Sequence, residues 1–309
     1  MRCGASLASS SDVRRECQTF AGGSLLVRYA NFVRLPHTVF ALPFALLGVV
    51  AASYSYPVTW RTLGLVVVAF TAARFVAMGF NRIADRDLDA RNPRTRGREL
   101  PAGRLTLTQA WTAVIVAAVT FVWAAWALNP LCFTLSPVAL AIVMLYSYSK
   151  RFTWWSHVWL GFGDAIAGPG GYLAVAGRWS EPGWLLWALA AAVTFWVGGF
   201  DVLYALQDEQ FDRAERLHSA VVRFGRARSL FVAKAMHGVA VVALVAFGVG
   251  LGLGWPYFGA VALGAALIAW EHRLVRPDDL SRLNAAFFTM NGIVSIVVFL
   301  GALVDRIAS

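Results

Sequence analysis

Charge is what this 309-residue chain has least of: Asp, Glu, Lys and Arg together make up 14% of it, against about a quarter in soluble domains. A water-facing surface over a core this large would need more, and 59% of the residues are hydrophobic. The scarcity therefore excludes an ordinary soluble globule and makes lipid the expected solvent. Lysine is nearly absent, with Lys150 and Lys234 among 27 basic residues. Three cysteines, Cys3, Cys17 and Cys132, form no closely spaced set, so neither a disulfide framework nor a thiolate metal site is expected. Glycine-rich nucleotide-binding loops and Walker sequences are missing too. Residues 1–22 lack the apolar run of a signal peptide, and the stretch 1–23 reads as a cytoplasmic, partly disordered tail ahead of one membrane domain, 24–309.

Nine apolar segments are present, at about 37–54, 62–80, 107–127, 132–148, 155–176, 183–204, 229–252, 256–271 and 284–304. Several approach the roughly 20 residues a helix needs to cross the hydrocarbon core. The expected fold is an all-α integral membrane bundle of nine transmembrane helices. The net charge of +10 would suggest nucleic acid in a soluble protein. Here the arginines fall in alternate connections instead. Arg82, Arg86, Arg91, Arg94, Arg96, Arg98 and Arg104 follow the second segment, and Lys150 and Arg151 the fourth. Arg213, Arg216, Arg223, Arg226 and Arg228 follow the sixth, and Arg273, Arg276 and Arg282 the eighth. Basic connections stay in the cytoplasm, which puts the N-terminus inside and the C-terminus outside, with the lipid bilayer, not nucleic acid, as partner.

Two acidic clusters close the second and sixth segments, at the same membrane face. In the first, Asn81, Asp85 and Asp89 are four residues apart, so on a helix they form a stripe about 80° wide, with Asp87 off it. In the second, Asp201, Asp208 and Asp212 share a stripe with Tyr204 at its edge and Glu209 off it. Stacked carboxylates repel unless a cation lies between them, and hard oxygen ligands suit Mg²⁺, which completes its shell with phosphate and water. Asp201 ends an apolar run, where a carboxylate is costly and reads as functional. Two such stripes can grip a diphosphate from both sides, with two Mg²⁺ ions.

These residues carry a resemblance. Asn81-x3-Asp85-x3-Asp89, followed by Arg94-Thr95-x2-Arg98-x-Leu100-Pro101-Ala102-Gly103, is similar to the first signature of the UbiA family of aromatic prenyltransferases. Asp201 to Asp212 with Leu217-His218-Ser219 resembles the second, and Tyr146-x3-Lys150-Arg151-x-Thr153 a third element. Arg82 stands where the usual motif has Asp. With His37-Thr38-x-Phe40-Ala41, Tyr204-Ala205-x-Gln207-Asp208 and Arg276-Pro277-Asp278-Asp279-Leu280, Asn284 and Asn291, this resembles the branch that includes dihydroxynaphthoate prenyltransferases of menaquinone synthesis.

The resemblance implies transfer of a polyprenyl group from a polyprenyl diphosphate to an aromatic carboxylic acid, 4-hydroxybenzoate or a dihydroxynaphthoate, in quinone synthesis at the bacterial inner membrane. It implies a central cavity opening near the cytoplasmic side. Asn81, Asp85, Asp89, Asp208 and Asp212 would be the metal ligands. Lys150, with Arg94 or Arg98, would stabilise the departing diphosphate, and Arg151 would also bind substrate. Tyr146 and Tyr204 would shelter the allylic cation, Arg34 would bind the acceptor carboxylate, and Asp201 would orient the phenol or take its proton. A haem or chlorophyll prenyltransferase fits the local motifs less well. A transporter would place its carboxylates near the midplane. A CDP-alcohol phosphotransferase concentrates its carboxylates in one signature, whereas Asp85 and Asp208 stand 123 positions apart.

Overall fold

The computed structural model describes residues 20–275 and 290–309. The rest of the N-terminal tail, Arg276–Leu280, Arg282, Asn284 and the start of the ninth segment lie outside the described residues, as do the side chains of His37, Thr38 and Phe40. Among the described residues every element is helical. A short helix, α1 (Leu25–Phe32), capped by Ser24, precedes α2 (Pro36–Ser53) and α3 (Trp60–Ala84). Then follow α4 (Arg86–Arg91), α5 (Leu107–Leu128), α6 (Pro130–Ser149), α7 (Ser156–Ala165), α8 (Ala167–Ala176) and α9 (Trp184–Ala205). A 3₁₀ turn (Leu206–Asp208), α10 (Glu209–Ala214), α11 (Ala220–Leu251), α12 (Trp255–Leu274) and α13 (Asn291–Ala308) complete the chain.

Each apolar segment is thus helical over its described part, but not each is one long span. Among the described residues, six helical stretches are long and apolar enough to cross a membrane: Trp60–Ala84, Leu107–Leu128, Pro130–Ser149, Trp184–Ala214, Ala220–Leu251 and Asn291–Ala308. The fifth segment breaks at Ile166 into α7 and α8. The seventh starts earlier than its apolar run, at Ala220, and Gly225 interrupts its helix with φ +74°, a backbone shape that favours glycine.

Helix contacts run in a closed circuit through α3, α6, α7, α9, α11, α12, α13 and α2 and back to α3, with α5 packed outside α3 and α6. In lipid, close packing replaces the hydrophobic drive between helices, so small residues sit at the seams. Gly171 on α8 packs against the backbone of Ala45 on α2, and Gly161 on α7 against Thr194 on α9, where a Cβ would collide with a carbonyl oxygen. At one end, Asp305 of α13 accepts from Tyr54 Oη at 2.9 Å and from the Gly254 amide at 2.8 Å, tying three helices together. At the opposite end the C-termini of α3, α6 and α9 meet. Arg151 Nη2 donates to the Ala84 carbonyl at 2.6 Å, and the His218 amide to the Lys150 carbonyl at 2.7 Å. The circuit encloses a chamber at that end.

Candidate active site

The chamber has a volume of about 270 Å³, and all thirteen residues singled out by the sequence line it: Arg34, Asn81, Asp85, Asp89, Arg94, Arg98, Tyr146, Lys150, Arg151, Asp201, Tyr204, Asp208 and Asp212. The acidic stripes, however, are not carried by continuous helices. α3 ends at Ala84, Asp85 caps it with φ −100° and ψ 9°, and Asp89 belongs to α4. In the second cluster Asp201 and Tyr204 lie on α9, Asp208 ends the 3₁₀ turn and Asp212 lies on α10. The breaks are compensated by tertiary partners. Asn81 Nδ2 donates to Asp85 Oδ2 at 2.9 Å, and Arg151 Nη2 stands 3.2 Å from Asp85 Oδ1. Arg98 Nη1 donates to Asp89 Oδ1 at 2.6 Å.

The connection after α4 reaches across to the second cluster. Arg94 donates from Nε to Asp208 Oδ1 at 2.9 Å and from Nη1 to Tyr204 Oη at 2.9 Å, with its guanidinium carbon 5.1 Å from the Tyr204 ring centroid. Asn92 Nδ2 adds a 3.3 Å contact to Asp208 Oδ1, and Arg91 Nη1 lies 3.1 Å from Glu215. Lys150 Nζ is 3.8 Å from Asp212 Oδ2. Burial alone would lower the Lys150 pKa, but Asp212, Asp201, Asp208 and Asp85 together hold it above the usual lysine value. Asp85 is displaced the other way for a carboxylate: burial first, then the charge of Asp89, push its pKa up.

Whether this donor set fits a hard cation follows from its oxygens. Asp89 Oδ2 and Asp212 Oδ2 are buried without a hydrogen-bond partner, and buried carboxylate oxygens are costly in that state. Among the described residues no three acidic, His or Cys groups converge closely enough to hold an ion by themselves. The two orphaned oxygens are donors a hard cation would take, and Mg²⁺ needs only one or two protein carboxylates, filling the rest of its shell with phosphate and water. The residues off the stripes turn elsewhere. Asp87 is exposed beside Arg86, and Glu209 pairs with Arg226 at 2.6 Å and Arg213 at 3.2 Å.

Three features were missed by reading the sequence. Asp201 Oδ2 lies 2.6 Å from Nδ1 of His157, whose Nε2 accepts from the Ala220 amide at 3.2 Å. An accepting Nε2 places the imidazole proton on Nδ1, so His157 donates to Asp201. Arg74 on α3 and Asp164 on α7 form an ion pair within two segments read as purely apolar, Nη1 lying 2.6 Å and 2.9 Å from the two carboxylate oxygens. Both residues also line a second, apolar chamber of about 270 Å³ beside residues such as Phe70, Leu140 and Phe162. Asn92 completes the set. The only signals were a polar residue in an apolar span for the first two, and no local signal for Asn92.

Comparison with known proteins now adds the family. A sequence profile described as "UbiA prenyltransferase family" matches residues 41–293. The 4-hydroxybenzoate octaprenyltransferase of Alkalilimnicola ehrlichii is 30% identical over 281 residues, covering 90% of this chain and 94% of the relative. That of Cupriavidus necator is 31% identical over 282 residues, covering 89% and 96%. Among solved structures, the apo UbiA homologue of Aeropyrum pernix has a TM-score of 0.80 at 33% identity, covering 87% of this chain and 98% of its own. The Archaeoglobus fulgidus UbiA homologue bound to GPP and Mg²⁺ shares the fold, with a TM-score of 0.64 at 18% identity over 91% and 100% of the two chains.

Proposed function

The chain belongs to the UbiA prenyltransferase family and is a multi-pass integral membrane protein, and from that premise we propose that it transfers a polyprenyl group from a polyprenyl diphosphate to the ring of 4-hydroxybenzoate. The observation that carries this reading is the convergence of both acidic clusters on one chamber, joined by Arg94 and Asp208. The names of the relatives support 4-hydroxybenzoate as acceptor and ubiquinone synthesis as the setting. The Asn81-Arg82 motif favours a dihydroxynaphthoate as the second reading.

Asn81, Asp85 and Asp89 on one side and Asp208 and Asp212 on the other would hold two Mg²⁺ ions. Bound there, Mg²⁺ neutralises the diphosphate and makes it a better leaving group. Lys150, Arg94, Arg98 and Arg151 are placed to hold phosphate oxygens as charge develops on them. The allylic C–O bond breaks, its electron pair leaves with the diphosphate, and the allylic cation remains beside Tyr146 and Tyr204, whose rings attract it. The acceptor ring carbon attacks the cation to form the C–C bond, and the displaced proton passes to Asp201. His157, donating to Asp201, keeps that carboxylate aimed. Arg34 holds the acceptor's carboxylate.

The same reading gives nine membrane crossings, with the N-terminus and the chamber mouth at the cytoplasmic face of the bacterial inner membrane and the C-terminus outside. Residues 1–23 form a tail and 24–309 the catalytic domain. The prenyl tail runs from the charged end past Arg74 and Asp164 into the neighbouring apolar chamber and then into lipid. The deciding experiment is turnover in lipid nanodiscs with Mg²⁺, one polyprenyl diphosphate, and 4-hydroxybenzoate or a dihydroxynaphthoate. Prenylated 4-hydroxybenzoate is expected, and product from neither acceptor would refute the reading.

A further inference from the structure

Arg82 follows Asn81 in the last turn of α3. A cation at a helix C-terminus usually faces water and favours the dipole from there. Arg82 does not: it is 7% exposed and lines the chamber. The other cations of the first and second clusters are each matched to a carboxylate, Arg94 to Asp208, Arg98 to Asp89, Lys150 to Asp212 and Arg151 to Asp85. Arg82 makes no hydrogen bond and no ion pair among the described residues.

Besides burial, the charges that act on it most are those of Arg98, Asp89 and Arg34. Of these, Asp89 is the one carboxylate, and its Oδ1 already accepts from Arg98. That carboxylate is thus already engaged by another guanidinium. An unpaired buried charge is expensive, and a guanidinium is the side chain best shaped for two parallel hydrogen bonds to a planar or tetrahedral oxyanion. An anion entering the chamber on this side would complete the pairing that the protein leaves open.

We propose that Arg82 is a substrate-binding residue, receiving an anionic oxygen group that enters the chamber on the side of Arg34 and Arg98. Within the prenyl-transfer reading, on which the assignment of the ligand rests, that group is the carboxylate of the aromatic acceptor or an outer phosphate of the donor. Arg82 thus differs from Arg94 and Lys150 in having, among the described residues, no carboxylate partner to give up when the anion enters, and the proposal gives the Arg at this position of the motif a chemical purpose.

Calorimetric binding in nanodiscs separates the possibilities, using wild type, Arg82→Lys and Arg82→Gln. The probes are 4-hydroxybenzoate, its neutral analogue 4-hydroxybenzamide, and inorganic diphosphate with Mg²⁺. Arg82→Gln is expected to weaken one or both anions at least tenfold, with Arg82→Lys in between and the amide unaffected. A loss confined to 4-hydroxybenzoate identifies the acceptor carboxylate, and one confined to diphosphate identifies the donor. Unchanged anion affinity in both variants, an equal loss for the neutral amide, or a wild type that binds neither anion would overturn the proposal. Should Arg82→Gln fail to fold, Arg82→Lys against wild type decides alone. Anion binding that depends on Arg82 in a protein that prenylates no aromatic acid would instead refute the proposed activity and leave the anion site standing.

Discussion

Arg94 and Asp208, 114 positions apart, bind each other through two hydrogen bonds from one guanidinium, Nε to Oδ1 at 2.9 Å and Nη2 to Oδ2 at 2.5 Å. This contact makes one site of two acidic clusters that lie on separate helices. It also hands Asp208 a cation that a bound metal and diphosphate would have to share. In the proposed mechanism Arg94 would divide its donors between Asp208 and the phosphate.

Arg94→Gln is accordingly expected to raise KM for the prenyl diphosphate about tenfold, equivalent to about 1.4 kcal/mol, while KM for the acceptor moves less than threefold. Steady-state kinetics with each substrate varied in turn checks this. An equal rise in both constants would place Arg94 in the general support of the loop.

His157 is 2% exposed and spends both ring nitrogens on neighbours. With both nitrogens so engaged, the role proposed for it is to position Asp201. His157→Ala should lower kcat by about tenfold or more, within the range of a misplaced proton acceptor, with donor KM unchanged. His157→Asn, which keeps a donor near Nδ1, should recover part of it. A full loss in both variants, with diphosphate affinity also lost, would indicate collapse of the α7–α9 seam.

The Arg74–Asp164 pair lies well inside the bundle, with side chains 14% and 16% exposed. Removing one partner strands the other charge, which costs about 3–5 kcal/mol when such a pair is buried, whereas replacing both with apolar groups can be neutral. Asp164→Asn should lower the thermal midpoint in detergent, and Arg74→Met with Asp164→Leu should restore it. A stable single variant would show that water, not Asp164, satisfies Arg74.

Much of the site could be read from the chain because carboxylates ending apolar runs are conspicuous. Asp85, Asp201 and Asp208 are visible for that reason. The helix breaks at Asp85 and at Leu206 are not, since neither carries Pro or Gly and both depend on partners far along the sequence, Arg151 for the first and Arg94 for the second. Arg82 was grouped with the loop arginines because its neighbours are charged, although the helix turns it inward. Arg74 and Asp164 were diluted by their apolar surroundings, and a single His in the first turn of α7 gave no hint of Asp201 on α9.

The proposed orientation puts the connections 91–104 and 212–228 in the cytoplasm. In a variant lacking Cys3, Cys17 and Cys132, single cysteines placed in either connection should resist a membrane-impermeant thiol reagent in intact cells and react after lysis. Labelling of either one from outside would reverse the orientation.

The central claim is that the two clusters act as one Mg²⁺-dependent unit. Its most direct test is prenyl-transfer turnover for wild type, Asp85→Asn, Asp208→Asn and the double variant, each with excess Mg²⁺ and with EDTA. The account predicts activity in the wild type that EDTA abolishes and Mg²⁺ restores. It predicts a loss of about a thousandfold or more in each single variant, and a double variant hardly worse than either, as for residues that work together. Metal-independent turnover, or a near-wild-type rate in either folded single variant, would contradict it.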